Sequence, residues 1–186
     1  MRYVALLRGI NVGGSTMIKM EELRATFEAL GFENVKSYIN SGNLAFDAGS
    51  VSSPHVSNGP GEAEAALTDT IEKAIEKDFG KQIPVMVRSR QDVERVLANN
   101  PFDGEFESHK EMHVLFLKEE MPAEKRTQLL GAVPDGERFE VLGREIYCHL
   151  PMGVADSLLG KSYIEKKLKL AATGRNWRTV HKLAEL

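Results

Sequence analysis

Two short stretches hold the groups that could do chemistry. The first is Arg8 followed by Gly9-Ile10-Asn11-Val12-Gly13-Gly14-Ser15-Thr16. An apolar run precedes it and a helical pattern follows. Strand, glycine loop and helix make a cradle for an anion, because backbone N–H groups converge there and a helix N-terminus is partially positive. Arg8, Asn11, Gly13 and Gly14 are its candidate ligand-binding residues. The competing reading gives the glycines only the positive φ of a tight turn and Asn11 only a backbone cap. The second stretch is Thr173-Gly174-Arg175-Asn176-Trp177-Arg178-Thr179-Val180, read as the start of a helix anchored by Trp177, Val180 and Ala184. Arg175 and Asn176 join the candidate set. A cation at a helix start opposes the macrodipole unless an anion or a carboxylate answers it.

Asn40, Ser41 and Asn43 make a polar turn between two short apolar runs. They line the same pocket as the first loop, or they are turn chemistry alone. The sharpest expectation is spatial: the glycine loop and the terminal helix border one cavity that accepts negative charge.

Other chemistry is easier to set aside. The first loop nearly spells the phosphate-binding pattern G-x-x-x-x-G-K-[ST], with Gly9, Gly14 and Thr16 in place, but Ser15 stands where the lysine belongs. A nucleoside triphosphatase is therefore not expected. The five histidines (55, 109, 113, 149 and 181) show no metal-ligand spacing, and Cys148 has no second thiol to join it. No metal is expected, no cofactor is indicated and no residue set identifies a reaction. Cys148 in an apolar run reads as packing, and on a strand it points away from His149.

The elements that must position these groups follow from periodicity. Tyr3–Leu7 reads as a buried strand. Met20, Leu23, Phe27 and Leu30 share one helix face, which Gly31 ends. Val35–Ile39 and Asn43–Phe46 flank Asn40-Ser41-Gly42 as a hairpin. Residues 48–61 read as a flexible insertion. A helix over 62–79 and a strand over 83–87 complete a first lobe over residues 1–88. Ser89 with Asp92 opens a short helix by a capping-box variant, and residues 89–108 form a connection. A second lobe over 109–186 repeats the order with a strand at 113–117, a helix from Pro122 to about Leu130 and a hairpin around Gly143. Helices at 157–170 and 175–185 follow, with Ser162 and Thr173 as candidate N-caps. Strand, helix, strand, strand, helix thus occurs twice. That order predicts an α+β fold of two ferredoxin-like lobes, each a mostly antiparallel sheet with helices on one face.

Composition agrees with a globular protein: 186 residues, 42% apolar, 27% charged and a net charge of −3. Residues 161–186 carry seven Lys or Arg against two Glu, so a basic tail follows an acidic body. A lone cysteine fits a reducing compartment. The opening apolar run is too short for a signal or a membrane span. A cytoplasmic protein is expected.

LLRGINVGG (6–14), KMEELR (19–24), SGNLAF (41–46), NPF (100–102) and RNWRTV with Lys182-Leu183 (175–183) resemble an uncharacterised, mainly bacterial family, domain of unknown function sixteen-ninety-seven. The resemblance implies the same two-lobed ferredoxin-like α+β fold and brings no activity, substrate or cofactor. In relatives the hairpin joins the next helix more directly, so residues 48–61 look inserted. Two functions from different classes remain. One is a site for a small anionic molecule, a nucleotide or phosphorylated metabolite. The other is a nucleic-acid-binding module that holds RNA through the basic tail and a ferredoxin-like sheet, although the paired aromatics such sheets use are missing. A purely structural role is a third reading.

Overall fold

The computed structural model describes residues 1–14, 16–49 and 60–186; the expected insertion lies largely outside them. The chain forms two compact units, one of Met1–Glu94 with Leu183–Leu186 and one of Arg95–Lys182.

In the first unit β1 (Arg2–Leu7), α1 (Met20–Ala29), β2 (Glu33–Tyr38), β3 (Asn43–Asp47), α2 (Pro60–Phe79) and β4 (Val85–Ser89) follow in turn. The strands pair antiparallel in the order β2-β3-β1-β4, the ferredoxin-like arrangement. Alternate strand residues Tyr3, Ala5, Leu7, Leu44, Phe46, Val85 and Val87 pack with Leu23 and Phe27 of α1 and Ile71 and Ile75 of α2. The intervening Val4, Leu6, Ala45 and Met86 are buried too, which is why β1 reads as an unbroken apolar run and not an alternating one. As the spacing predicts, α1 buries Leu23 and Phe27 and ends at Gly31 with φ +82°. Gly31 N–H donates to Glu28 O and Phe32 N–H to Phe27 O. Their rings meet 5.9 Å apart, so the helix end is sealed by both hydrogen bonds and packing. Pro84 stands just before β4, an edge strand, where its missing N–H costs no ladder bond.

The second unit repeats the plan. After α3 (Arg90–Ala98) come β5 (Met112–Leu117), α4 (Ala123–Ala132), β6 (Arg138–Leu142), β7 (Glu145–His149), α5 (Tyr163–Lys166), β8 (Ala172–Asn176) and α6 (Trp177–Glu185). The sheet is antiparallel with order β6-β7-β5-β8. Cys148 is buried with Leu115 and Ile146, and burial first, then Glu137, pushes its thiol well up.

Two sequence expectations are corrected here. The helix expected over 157–170 shrinks to Tyr163–Lys166, and Ser162 precedes it in the left-handed region with no side-chain cap bond. Residues 172–176, expected in part as the start of a helix, are the fourth strand. Pairing along the open edge of β5 supplies ladder bonds for this stretch, and a tertiary partner outweighs a weak local preference. The second unit therefore has four strands, like the first. Asn176, not Thr173, caps α6: its Oδ1 accepts from Thr179 N–H at 2.9 Å. Ser89 does the same before α3, accepting from Asp92 N–H at 3.1 Å.

The match between the units reaches single residues. Arg88 lies opposite Val4, and Arg175 lies opposite Val114. Each Nη1 donates to the carbonyl of the preceding residue, at 2.9 and 2.8 Å. No described helix is long and apolar enough to cross a membrane.

His113 of β5 has a buried Nδ1 with no hydrogen-bond partner among the described residues, and burial lowers its pKa below the ordinary 6.5. A depressed histidine pKa means the unfolded chain takes the proton first. The contribution is thus complete above about pH 6.5 and is lost as pH falls through the folded value. Denaturation midpoints at pH 7.5 and 5 should show His113→Gln losing less stability on acidification than the parent; equal losses would contradict this.

Candidate functional site

The glycine loop begins where β1 is gripped from both sides. Leu7 N–H donates to Gly42 O at 2.8 Å and Arg8 N–H to Pro84 O at 3.0 Å. The chain then turns through positive φ at Gly9, Asn11, Gly13 and Gly14, while buried Ile10 anchors it. Asn11 organises the rest. Its Nδ2 donates to Ile18 O at 2.8 Å and to Asn40 O at 2.9 Å, and its Oδ1 accepts from Ile18 N–H at 2.8 Å. Its own N–H donates to Thr16 O at 2.9 Å. A carboxamide supplies both donors and the acceptor and tolerates the left-handed region. An aspartate would instead aim negative charge at two carbonyls.

The hairpin between β2 and β3 is thereby tied to the loop. Asn43 is buried and donates to Tyr38 O and Ser41 Oγ, both at 3.1 Å. Gly42 has φ +82°, and a Cβ there would stand 2.8 Å from Leu7 Cβ and 3.0 Å from Ile10 Cγ1. Only glycine lets the turn approach this closely. Ile39 also has positive φ, +49°, and is exposed, a strained conformation for a β-branched side chain. The structure thus gathers Asn11, Asn40, Ser41 and Asn43, with Arg8, Gly13 and Gly14 on the same short loop. Asn11 and Asn43 do the structural work that the competing sequence reading assigned to Asn11.

One ingredient of the expected cradle is displaced. α1 begins at Met20, six residues beyond Gly14, with no side-chain cap at Lys19 and with Glu21 and Glu22 in its first turn. Its macrodipole acts only near that first turn, so the loop's electrostatics rest on Arg8 and peptide N–H groups.

Arg175 and Asn176 belong to the second unit. Arg175 sits in β8 and not at a helix start, so its guanidinium does not oppose a helix macrodipole as the sequence reading expects. Its Nη1 donates to Thr173 Oγ1 at 2.7 Å as well as to Gly174 O, and burial lowers its pKa to about 10. Trp177 and Val180 are buried, as their spacing predicts. Sequence reasoning missed Arg88, the first unit's counterpart of Arg175; a charged residue directly after an apolar strand run was the available signal. It also passed over Val12, Met17 and Ile39, apolar residues that the loop and hairpin leave exposed. Among the described residues no group of three or more His, Cys, Asp or Glu could hold a metal ion.

The sequence model of a family described as protein of unknown function (DUF1697) matches residues 1–147. No curated protein matches. Among solved structures, a conserved bacterial protein, SP0830 from Streptococcus pneumoniae, superposes with a TM-score of 0.75 at 24% identity, covering 99% of this chain and 97% of that one. That likeness is one of fold.

Two substitutions probe the tie between loop and hairpin. Gly42→Ala adds left-handed strain and a clash with Leu7 and should cost about 2–4 kcal/mol. Ile39→Asn relieves strain and should stabilise by about 1 kcal/mol. Urea denaturation measures both, and opposite signs are the expected outcome.

Proposed function

The chain belongs to the DUF1697 family of proteins of unknown function, and from the geometry of its first unit we infer that it binds a small phosphate-bearing anion at the loop following β1. The observation that carries this reading is the Asn11 clamp. It holds the loop so that Gly13 and Gly14 turn through φ +59° and +74° at the surface. Among the described residues, the hydrogen bonds that fix the loop do not use their N–H groups. A glycine turn can present peptide N–H groups to an oxyanion, and Arg8 adds a guanidinium whose planar fork matches phosphate. Asn40 and Ser41 flank the cradle from the hairpin, with Asn43 as a positioning residue.

In this reading the protein meets its ligand in the cytoplasm, consistent with a single buried cysteine. RNA binding on an open sheet face gains no support, because the residues such a face would offer from the central strands are buried, Val4, Leu6 and Ala45 in one unit and Val114, Phe116 and Tyr147 in the other.

Thermal stability in a series of inorganic phosphate, pyrophosphate and phosphorylated metabolites tests the reading. A ligand at a hundred times its Kd should add about 2.7 kcal/mol. Arg8→Gln should weaken binding about tenfold, equivalent to about 1.4 kcal/mol. Arg175→Lys, which keeps the charge, should leave affinity unaltered if the first unit acts alone. A series in which no anion shifts the transition overturns the proposal.

A further inference from the structure

Residues 99–111 join α3 to β5 without helix or strand, and side chains fasten them to the second unit's sheet. Phe102 is buried, with its ring centroid 5.9 Å from that of His149 in β7. Arg138 of β6 sets its guanidinium 4.6 Å from the centre of the Phe102 ring and pairs with Glu105. Where the segment ends, Glu111 O accepts from Leu150 N–H at 2.7 Å. The Glu111 carboxylate stands 3.8 Å from His149 Nε2.

His149 is the anomaly in this contact. It is 7% exposed, and neither ring nitrogen has a hydrogen-bond partner among the described residues. A neutral imidazole carries one N–H and one lone pair. The neutral ring therefore leaves a buried donor and a buried acceptor unanswered, a costly state. Taking up a proton makes both nitrogens donors, and Nε2–H then faces a carboxylate. The charges around the ring favour that proton. Arg138 on β6 and Met112 on β5 lie opposite His149, and Glu105 and Glu111 approach it from the segment. Arg138 is engaged by Glu105, while Glu111 has no other ionic partner among the described residues. A neutral ring leaves one guanidinium against two carboxylates; a protonated ring balances them.

We propose that His149 and Glu111 form a proton-operated latch: the protonated ring, ion-paired to Glu111, holds residues 99–111 against β7, and the neutral ring lets them loosen. By linkage, a contact made only by the protonated ring strengthens docking as pH falls. Histidine is the side chain that changes charge near neutrality, so a modest acidification operates the latch. His113 acts in the opposite direction on the stability of the second unit as a whole. The latch is therefore visible in local opening of the segment and not in global unfolding.

Hydrogen–deuterium exchange of the full chain, expressed as protection factors at pH 5.5 and 7.5, tests this. Peptides covering residues 99–111 should be about fivefold better protected at the lower pH, the size expected of one partly exposed ion pair. Glu111→Gln keeps the shape of the side chain without its charge and should abolish that gain. His149→Gln should do the same. Because the buried histidine is the riskier change for folding, the decisive second measurement uses the partly exposed partner: the NMR titration of the His149 imidazole should move to lower pH in Glu111→Gln. Protection that is equal at the two pH values would overturn the latch. So would protection that weakens on acidification, burial of the cation then outweighing the pair. A gain that survives in Glu111→Gln would assign it to His109 of the same segment, and an unmoved His149 titration would show that Glu111 does not sense the ring; either outcome ends the proposal.

Discussion

One side chain sets the geometry on which the first unit's surface depends. The Asn11 carboxamide joins three backbone segments: its own loop, the strand-like approach to α1 at Ile18, and the turn at Asn40. Each bond is worth little by itself, about 1 kcal/mol net. Their joint effect is conformational, because they fix a run of left-handed residues that would otherwise sample many states. The loop thereby holds its peptide N–H groups in set positions, with the ordering entropy already met in folding.

The clamp works because the sheet beneath it is rigid. β1 is one of the two inner strands, flanked by β3 and β4, and Leu7 and Arg8 at its end bond to both neighbouring connections. Tyr3, Phe27, Phe32 and Phe46 form a contiguous aromatic cluster under the same sheet. A loop rooted in that core inherits its precision, the usual arrangement when a rigid scaffold presents polar backbone.

Both units solve one folding problem in the same way. Each places its first strand in the sheet interior, closes the edge beside it with its fourth strand, and starts a capped helix immediately after. Arg88 and Arg175 occupy matching positions just before those caps. Burying a guanidinium demands compensation, and in both units the preceding carbonyl contributes to it. Agreement at this level supports a duplicated unit more strongly than element order alone. Only one copy carries the Gly-Asn loop: where β1 runs into Arg8 and Gly9, β5 runs into Lys118 and Glu119.

Local signals were legible in the chain itself. Burial of β1, the face and glycine stop of α1, the Asn-Ser-Gly turn, the Ser89 cap and the packing role of Cys148 all follow from spacing and residue type, because those interactions span a few residues. The identity of β8 was not legible, since its ladder bonds come from β5, more than fifty residues earlier. Nor was the burial of Arg175, nor the choice of Ile18 and Asn40 as partners for Asn11. A sequence specifies which groups can bond and which backbone bends are cheap. Which distant segments come within three ångströms of them is decided only when sheet pairing and core packing bring the chain back on itself.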